Sequence, residues 1–159
     1  MPRRKKINKK QTLSADVVYN NKLLSRFINR VMRSGKKSVA CKIVYQALDI
    51  IKSKNLDPIT VFNTAIVNIG PRFEVKSRRV GGASYQVPIE TRGERKISLA
   101  IRWLIQAASS RPNKQYHTFS EKLATELIDA YNNTGEAVRK RNLVHRNAEA
   151  NRAFAHFRW

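Results

Sequence analysis

The chain has 159 residues, long enough for one domain with a hydrophobic core, and 42% of them are hydrophobic, which excludes a wholly disordered tail. Lys and Arg number 32 against 11 Asp and Glu, a formal net charge of +21. Self-repulsion on that scale opposes a compact state until an anion neutralises it, whereas solubility needs only a modest charge, so a nucleic-acid partner is the first expectation. The lone cysteine, Cys41, excludes an intrachain disulfide and a cysteine-based metal cluster, and no apolar run approaches a membrane span.

Residues 1–13 carry Arg3, Arg4, Lys5, Lys6, Lys9 and Lys10 and no acid. Like charges at that density read as a basic arm that orders on a phosphate backbone. No apolar stretch follows them, as a secretory signal would require. A helical domain is expected over 14–159. Leu23, Leu24, Phe27, Ile28 and Val31 recur at helical spacing and stop at Ser34-Gly35. Val39, Ile43, Val44, Ala47, Leu48 and Ile51 mark a second helix. Asp57-Pro58 reads as an N-cap followed by proline at the first helical position, opening a third helix that ends at Gly70-Pro71.

The period then changes to two. Val75–Val80 and Ala83–Ile89 flank Gly81-Gly82, which suits a two-residue hairpin turn, and Pro88 fits only an edge strand. A two-stranded ribbon over about 73–89 follows. That register pairs Arg79 with Ser84, Arg78 with Tyr85 and Lys76 with Val87. Two cations and an aromatic then share one face, and Tyr85 is a candidate to stack on a base. Helices resume near Thr91 with Ile97, Ala100, Ile101, Leu104, Ile105 and Ala108 on one stripe, where Trp103 reads as core. Thr118 and Glu121 form a capping box for the next helix. A basic, weakly amphipathic helix is expected over about 134–159, leaning on RNA or protein. The fold class is mainly α: a single domain of about six helices, one protruding two-stranded β-hairpin and a basic N-terminal arm.

No phosphate-binding glycine loop, dinucleotide fingerprint or zinc-protease motif occurs, and His117, His145 and His156 are scattered. Glu90 and Glu94 lie among Arg92, Arg95 and Lys96, where local ion pairing is the simpler role. No catalytic residue, metal ligand or cofactor is expected. The cations are better organised. Lys36 and Lys37 sit at a helix start, where backbone N–H groups favour phosphate. Arg92, Arg95, Lys96 and Arg102 gather on the fourth helix, and Arg111 and Lys114 surround the next turn. With Lys76, Arg78 and Arg79 these complete the candidate RNA-binding set. A basic DNA-bending protein is the chief rival; an RNA-processing enzyme would need a constellation that is absent.

Asn21-Lys22-Leu23, Phe27-Ile28, Gly35-Lys36-Lys37, "EVKSRRVGGASYQVP" (74–88), "LAIRWL" (99–104) and "HRNAEANRAFAHFRW" (145–159) together resemble the small-subunit ribosomal protein seven family of bacterial and organellar type. The resemblance covers essentially the whole chain, with 110–127 the most divergent stretch. It implies a non-enzymatic constituent of the small ribosomal subunit. It further implies primary binding to the 3′ major domain of 16S-type rRNA, nucleation of head assembly, and a ribosomal location in a bacterial cytoplasm or plastid stroma. The ribbon, through Arg79, Gly81, Gly82, Ser84 and Tyr85, would approach exit-site tRNA and the mRNA path. The C-terminal residues Arg139, Lys140, Arg141, His145, Arg146, Arg152, Phe154, His156 and Trp159 would meet RNA or the neighbouring small-subunit proteins nine and eleven.

Overall fold

The computed structural model describes residues 13–157. The basic cluster Arg3 to Lys10 and Trp159 lie outside the described residues. The elements run α1 (Lys22–Val31), α2 (Lys37–Ser53), α3 (Pro58–Ile69), β1 (Phe73–Val80), β2 (Ala83–Glu90), α4 (Gly93–Ser110), α5 (Phe119–Tyr131), α6 (Glu136–Ala150) and a 3-10 turn (Arg152–Phe157). Local chemistry sets most of these boundaries. The Asn21 side chain accepts from the backbone N–H of Leu23 and Leu24 at the start of α1. Asp57 does the same for Thr60, with Pro58 opening α3. Thr118 and Glu121 cap each other at the start of α5, each side chain satisfying a backbone donor that the first turn leaves free.

Helix α5 is the axis of the core. It packs against α2, α3, α4 and α6, and its Leu123, Ala124, Leu127 and Ala130 are fully or almost fully buried. Alanines at 47, 65, 100, 124 and 130 are closed off from solvent and let helices approach closely. Phe27 of α1 meets Phe62 of α3 with ring centroids 5.3 Å apart. Trp103 is buried beside Leu104, in the core as expected. The segment before α1 is held down by Asp16, which accepts from Val18 and Tyr19 N–H and from the Tyr45 hydroxyl at 2.7 Å. Burial and then that hydrogen bond push the Tyr45 pKa up to about 12.

The antiparallel ribbon pairs Arg79 with Ser84, Arg78 with Tyr85 and Lys76 with Val87, around Gly81 and Gly82 at φ 57° and 90°. These angles are ones an L side chain rarely adopts, so the turn selects glycine. Two expectations are corrected. Val39 does not join the α2 core stripe: it is 51% exposed, and Ala40 takes the buried position beside it. The C-terminal helix is not continuous, because α6 ends at Ala150 and the chain tightens into the 3-10 turn. No buried residue anchors that turn. What holds it is Tyr85, whose ring centroid lies 5.3 Å from Phe154 and 5.1 Å from Phe157.

Candidate nucleic-acid interface

Helices α1 and α4 lie side by side. Arg26, Asn29 and Arg30 of α1 face Ser98 and Ile101 of α4 across a shallow groove. Arg102 stands exposed one turn beyond Ser98, and Arg95 precedes Ser98 by one turn. Along the same edge a second groove holds Arg33 and Lys36 opposite Ile105 and Ser109, floored by Val31, Ala40 and Ile43. Together they form a strip about 16 Å long, from the 1.5 Å helical rise over Ser98 to Ser109. No carboxylate lines either groove.

Arg95 lies outside these grooves, paired with Glu74, while Lys36 of the sequence-based set lines one of them, Arg102 is exposed beside them, and Arg26, Arg30 and Arg33 are added to the set. The sequence signals two of those three. Arg26 and Arg30 are four apart on the polar side of α1, away from Leu24, Phe27 and Ile28. Lys36 is the N-cap residue of α2 and Lys37 its first helical residue, both exposed, with no side chain capping the helix. Arg92 caps α4 through its backbone position and is exposed. Glu74 binds Arg95 at 3.1 Å and Lys76 at 3.6 Å, so one carboxylate is shared between two half-exposed cations. Such a pairing is weak in water and leaves net positive charge.

The ribbon tip exposes Ser77, Arg79, Gly81, Gly82, Ser84 and Gln86, whereas Arg78 is half-buried. Tyr85 packs in tilted pairs against the chain's own Phe154 and Phe157, at interplanar angles of 49° and 34°. Arg111 is turned inward. It forks onto fully buried Glu126 at 2.5 Å, binds Asp129 and Tyr116, and its guanidinium carbon lies 5.5 Å from the Tyr116 ring centroid. Burial opposes its charge, but the hydrogen bonds to Asp129 and Glu126 outweigh burial and hold its pKa above the ordinary value. The other oxygen of Glu126 accepts from Ala137 N at 3.0 Å, fixing the start of α6. Gly135 precedes it at φ 90°, where an added Cβ would lie 3.0 Å from both the Glu126 carboxylate and Asp129 Cβ. Buried Lys122 ties Arg111 O and Asn113 into the same turn, and Lys114 stays exposed.

On α6, Arg139 and Arg146 are exposed and Lys140 donates to Gln106 at 2.6 Å. Arg141 folds back onto the Asn68 carbonyl, Asn133 and Asn142. His145 Nε2 accepts from Arg72 N at 2.9 Å. Burial, then Arg141, Arg72 and Lys96, hold its pKa below the ordinary value. Arg152 and His156 are exposed on the 3-10 turn, where the His156 ring packs on Phe157. Among the described residues no cluster of three or more His, Cys, Asp or Glu is placed to hold a metal ion.

A helical body edged by acid-free arginine grooves and carrying a basic ribbon defines a scaffold for a polyanion. More particularly, the chain belongs to the family described as ribosomal protein S7p/S5e, which it matches over residues 2–152. It is 54% identical to small ribosomal subunit protein uS7 of Caldicellulosiruptor bescii, 54% to that of Thermomicrobium roseum and 55% to that of Methylobacterium nodulans. Each alignment runs over 160 residues and covers 100% of both chains. The family is structural and RNA-binding, and it is not enzymatic.

Proposed function

We propose that this protein is a structural constituent of the small ribosomal subunit and a primary binder of the 3′ major domain of 16S-type rRNA, and that it nucleates head assembly. The single observation that carries the reading is the carboxylate-free strip of Arg26, Arg30, Arg33, Lys36 and Arg102 along α1 and α4. Phosphate contacts from such a strip give affinity and register without reading bases, and specificity follows from the shape of a folded RNA junction. Exposed Lys37, Arg92 and Lys114 are further cations for the same RNA, and the basic stretch Arg3 to Lys10 adds charge in sequence. The exposed tip of the ribbon, Arg79 to Ser84, suits the exit-site tRNA and mRNA path. The C-terminal segment, with Arg139, Arg146, Arg152 and His156 exposed, suits RNA or proteins nine and eleven. A ribosome of a bacterial cytoplasm or plastid stroma is the expected location. Among the described residues no helix is long and apolar enough to cross a membrane.

The test is competition between the rRNA junction and duplex DNA of equal length at several salt concentrations. Preference for the RNA that survives 150 mM salt, roughly physiological, supports the reading. Equal binding that vanishes for both as salt rises would instead make the charge non-specific and favour a DNA-architectural role.

A further inference from the structure

At the base of the ribbon, away from the α1 and α4 grooves, lies a notch lined by Val67, Asn68 and Gly70 of the α3 end, Arg72, Lys96 of α4, and Arg141 and His145 of α6. Three cations and a histidine converge there and no carboxylate lines the space. Neither Arg72 nor Lys96 has an ion-pair partner among the described residues, and the Arg141 contacts are all to neutral oxygens. His145 accepts from Arg72 N through Nε2, which keeps that nitrogen unprotonated and the ring neutral. On its far side His145 borders a separate groove containing Glu149 and Arg152.

The cluster is positioned rather than loose. Arg141 is clamped by the Asn68 carbonyl, and the Asn68 side chain is itself fixed to Ala130 O at 3.0 Å and Tyr131 O at 3.1 Å. The Lys96 stem lies across Gly70, where an added Cβ would meet its Cγ and Cε at 2.7 Å. Gly70 has an ordinary backbone conformation, φ −65° and ψ 119°, so the space above it, not the backbone, is what calls for glycine. Uncompensated cations held this close are unfavourable unless a multivalent acceptor sits among them. A phosphate oxyanion, with several acceptor oxygens for guanidinium and ammonium donors, matches that need.

We propose that Arg72, Lys96, Arg141 and His145 form a phosphate-binding notch that takes one backbone phosphate of the bound RNA. Its assignment to RNA rests on the function proposed above; its affinity for phosphate does not. The experiment follows the His145 ring by NMR in the full-length protein, assigned by the loss of its signal in His145→Gln. Inorganic phosphate is titrated against chloride at constant ionic strength. Saturable phosphate binding is expected to raise the His145 pKa by about one unit, because an added negative charge offsets the three cations. Lys96→Met is expected to weaken phosphate about tenfold, the loss of one charge-assisted hydrogen bond. Gly70→Ala leaves every charge in place; its Cβ displaces the flexible Lys96 stem and presses on the Ile66 carbonyl oxygen at 3.3 Å, so it should weaken phosphate in the same direction. In the RNA titration, Lys96→Met should lower the salt slope by about 1.

An unmoved His145, or a phosphate affinity unchanged in both variants, would overturn the notch even if the rRNA junction still bound tightly. A phosphate response without junction binding would overturn its assignment to RNA.

Discussion

At the scale of single residues, the inward arginine and the neutral histidine make the sharpest predictions. Arg111 and Glu126 form a buried pair, and removing one partner strands the other's charge. Arg111→Met is expected to destabilise the fold by about 3–5 kcal/mol, read by urea unfolding. The same change in exposed Arg102 should cost less than about 0.5 kcal/mol. His145 gives a pH signature. Its folded pKa is below the ordinary 6.5, so the unfolded chain binds the proton more readily. Stability is therefore complete above pH 6.5 and falls as pH drops from there through the folded pKa. Wild type should lose more stability between pH 7 and 5.5 than His145→Gln. The capping carboxylates Asp57 and Glu121, held below their usual range by hydrogen bonds from Thr60 and Thr118, stabilise the fold above the ordinary carboxylate range and lose that contribution only at lower pH.

Among the elements, the caps and the ribbon divide the local from the tertiary. Asp57→Ala and Thr118→Ala each remove a side chain that satisfies a first-turn donor, and each should cost about 1 kcal/mol, or about 2–4 °C in Tm. The ribbon is different. Its register follows from Gly81-Gly82 and the strand periodicity, but its attachment depends on the far end of the chain. Phe154→Ala removes one of the two rings against Tyr85. An aromatic pair contributes about 0.5–1.5 kcal/mol, so amide exchange across 83–87 should quicken about two- to tenfold while the helical core is unchanged. Unchanged exchange would mean that the strands hold the ribbon without the 3-10 turn.

For the whole molecule, the distribution of charge matters more than its total. Among the described residues five ion pairs form, and Glu74, Glu126, Asp129 and Glu136 supply every carboxylate. Most basic side chains therefore keep their charge for an outside partner. Replacing Arg26, Arg30 or Arg102 singly by Met should lower the salt slope of rRNA binding by about 1 each, with little change in fold stability. Arg111→Met should leave that slope unchanged in the folded fraction. A slope that responded to Arg111 as strongly as to Arg30 would contradict the division into internal and external cations.

The sequence alone settled the class of fold, the hairpin register, the caps at Asp57 and Thr118 and the partner's sign of charge. Each is encoded within a few residues: 3.6 against 2 periodicity, a side chain three positions from the donor it satisfies, a glycine pair, a sum of charges. The resemblance of 74–88 and 145–159 to a ribosomal family added what those local rules do not hold. Which cations face outward was a tertiary decision. Arg102 and Arg111 look equivalent along the chain, yet α5 brings Glu126 and Asp129 to Arg111 from 15 and 18 positions away. Arg26 and Arg30 gain meaning only when α4 lies beside them, and Tyr85 meets Phe154 only because the helix before it stops at Ala150. The physical reason is common to all three. Local hydrogen bonding and periodicity choose the elements, but burial and charge compensation depend on groups distant in sequence, and only packing brings those groups together.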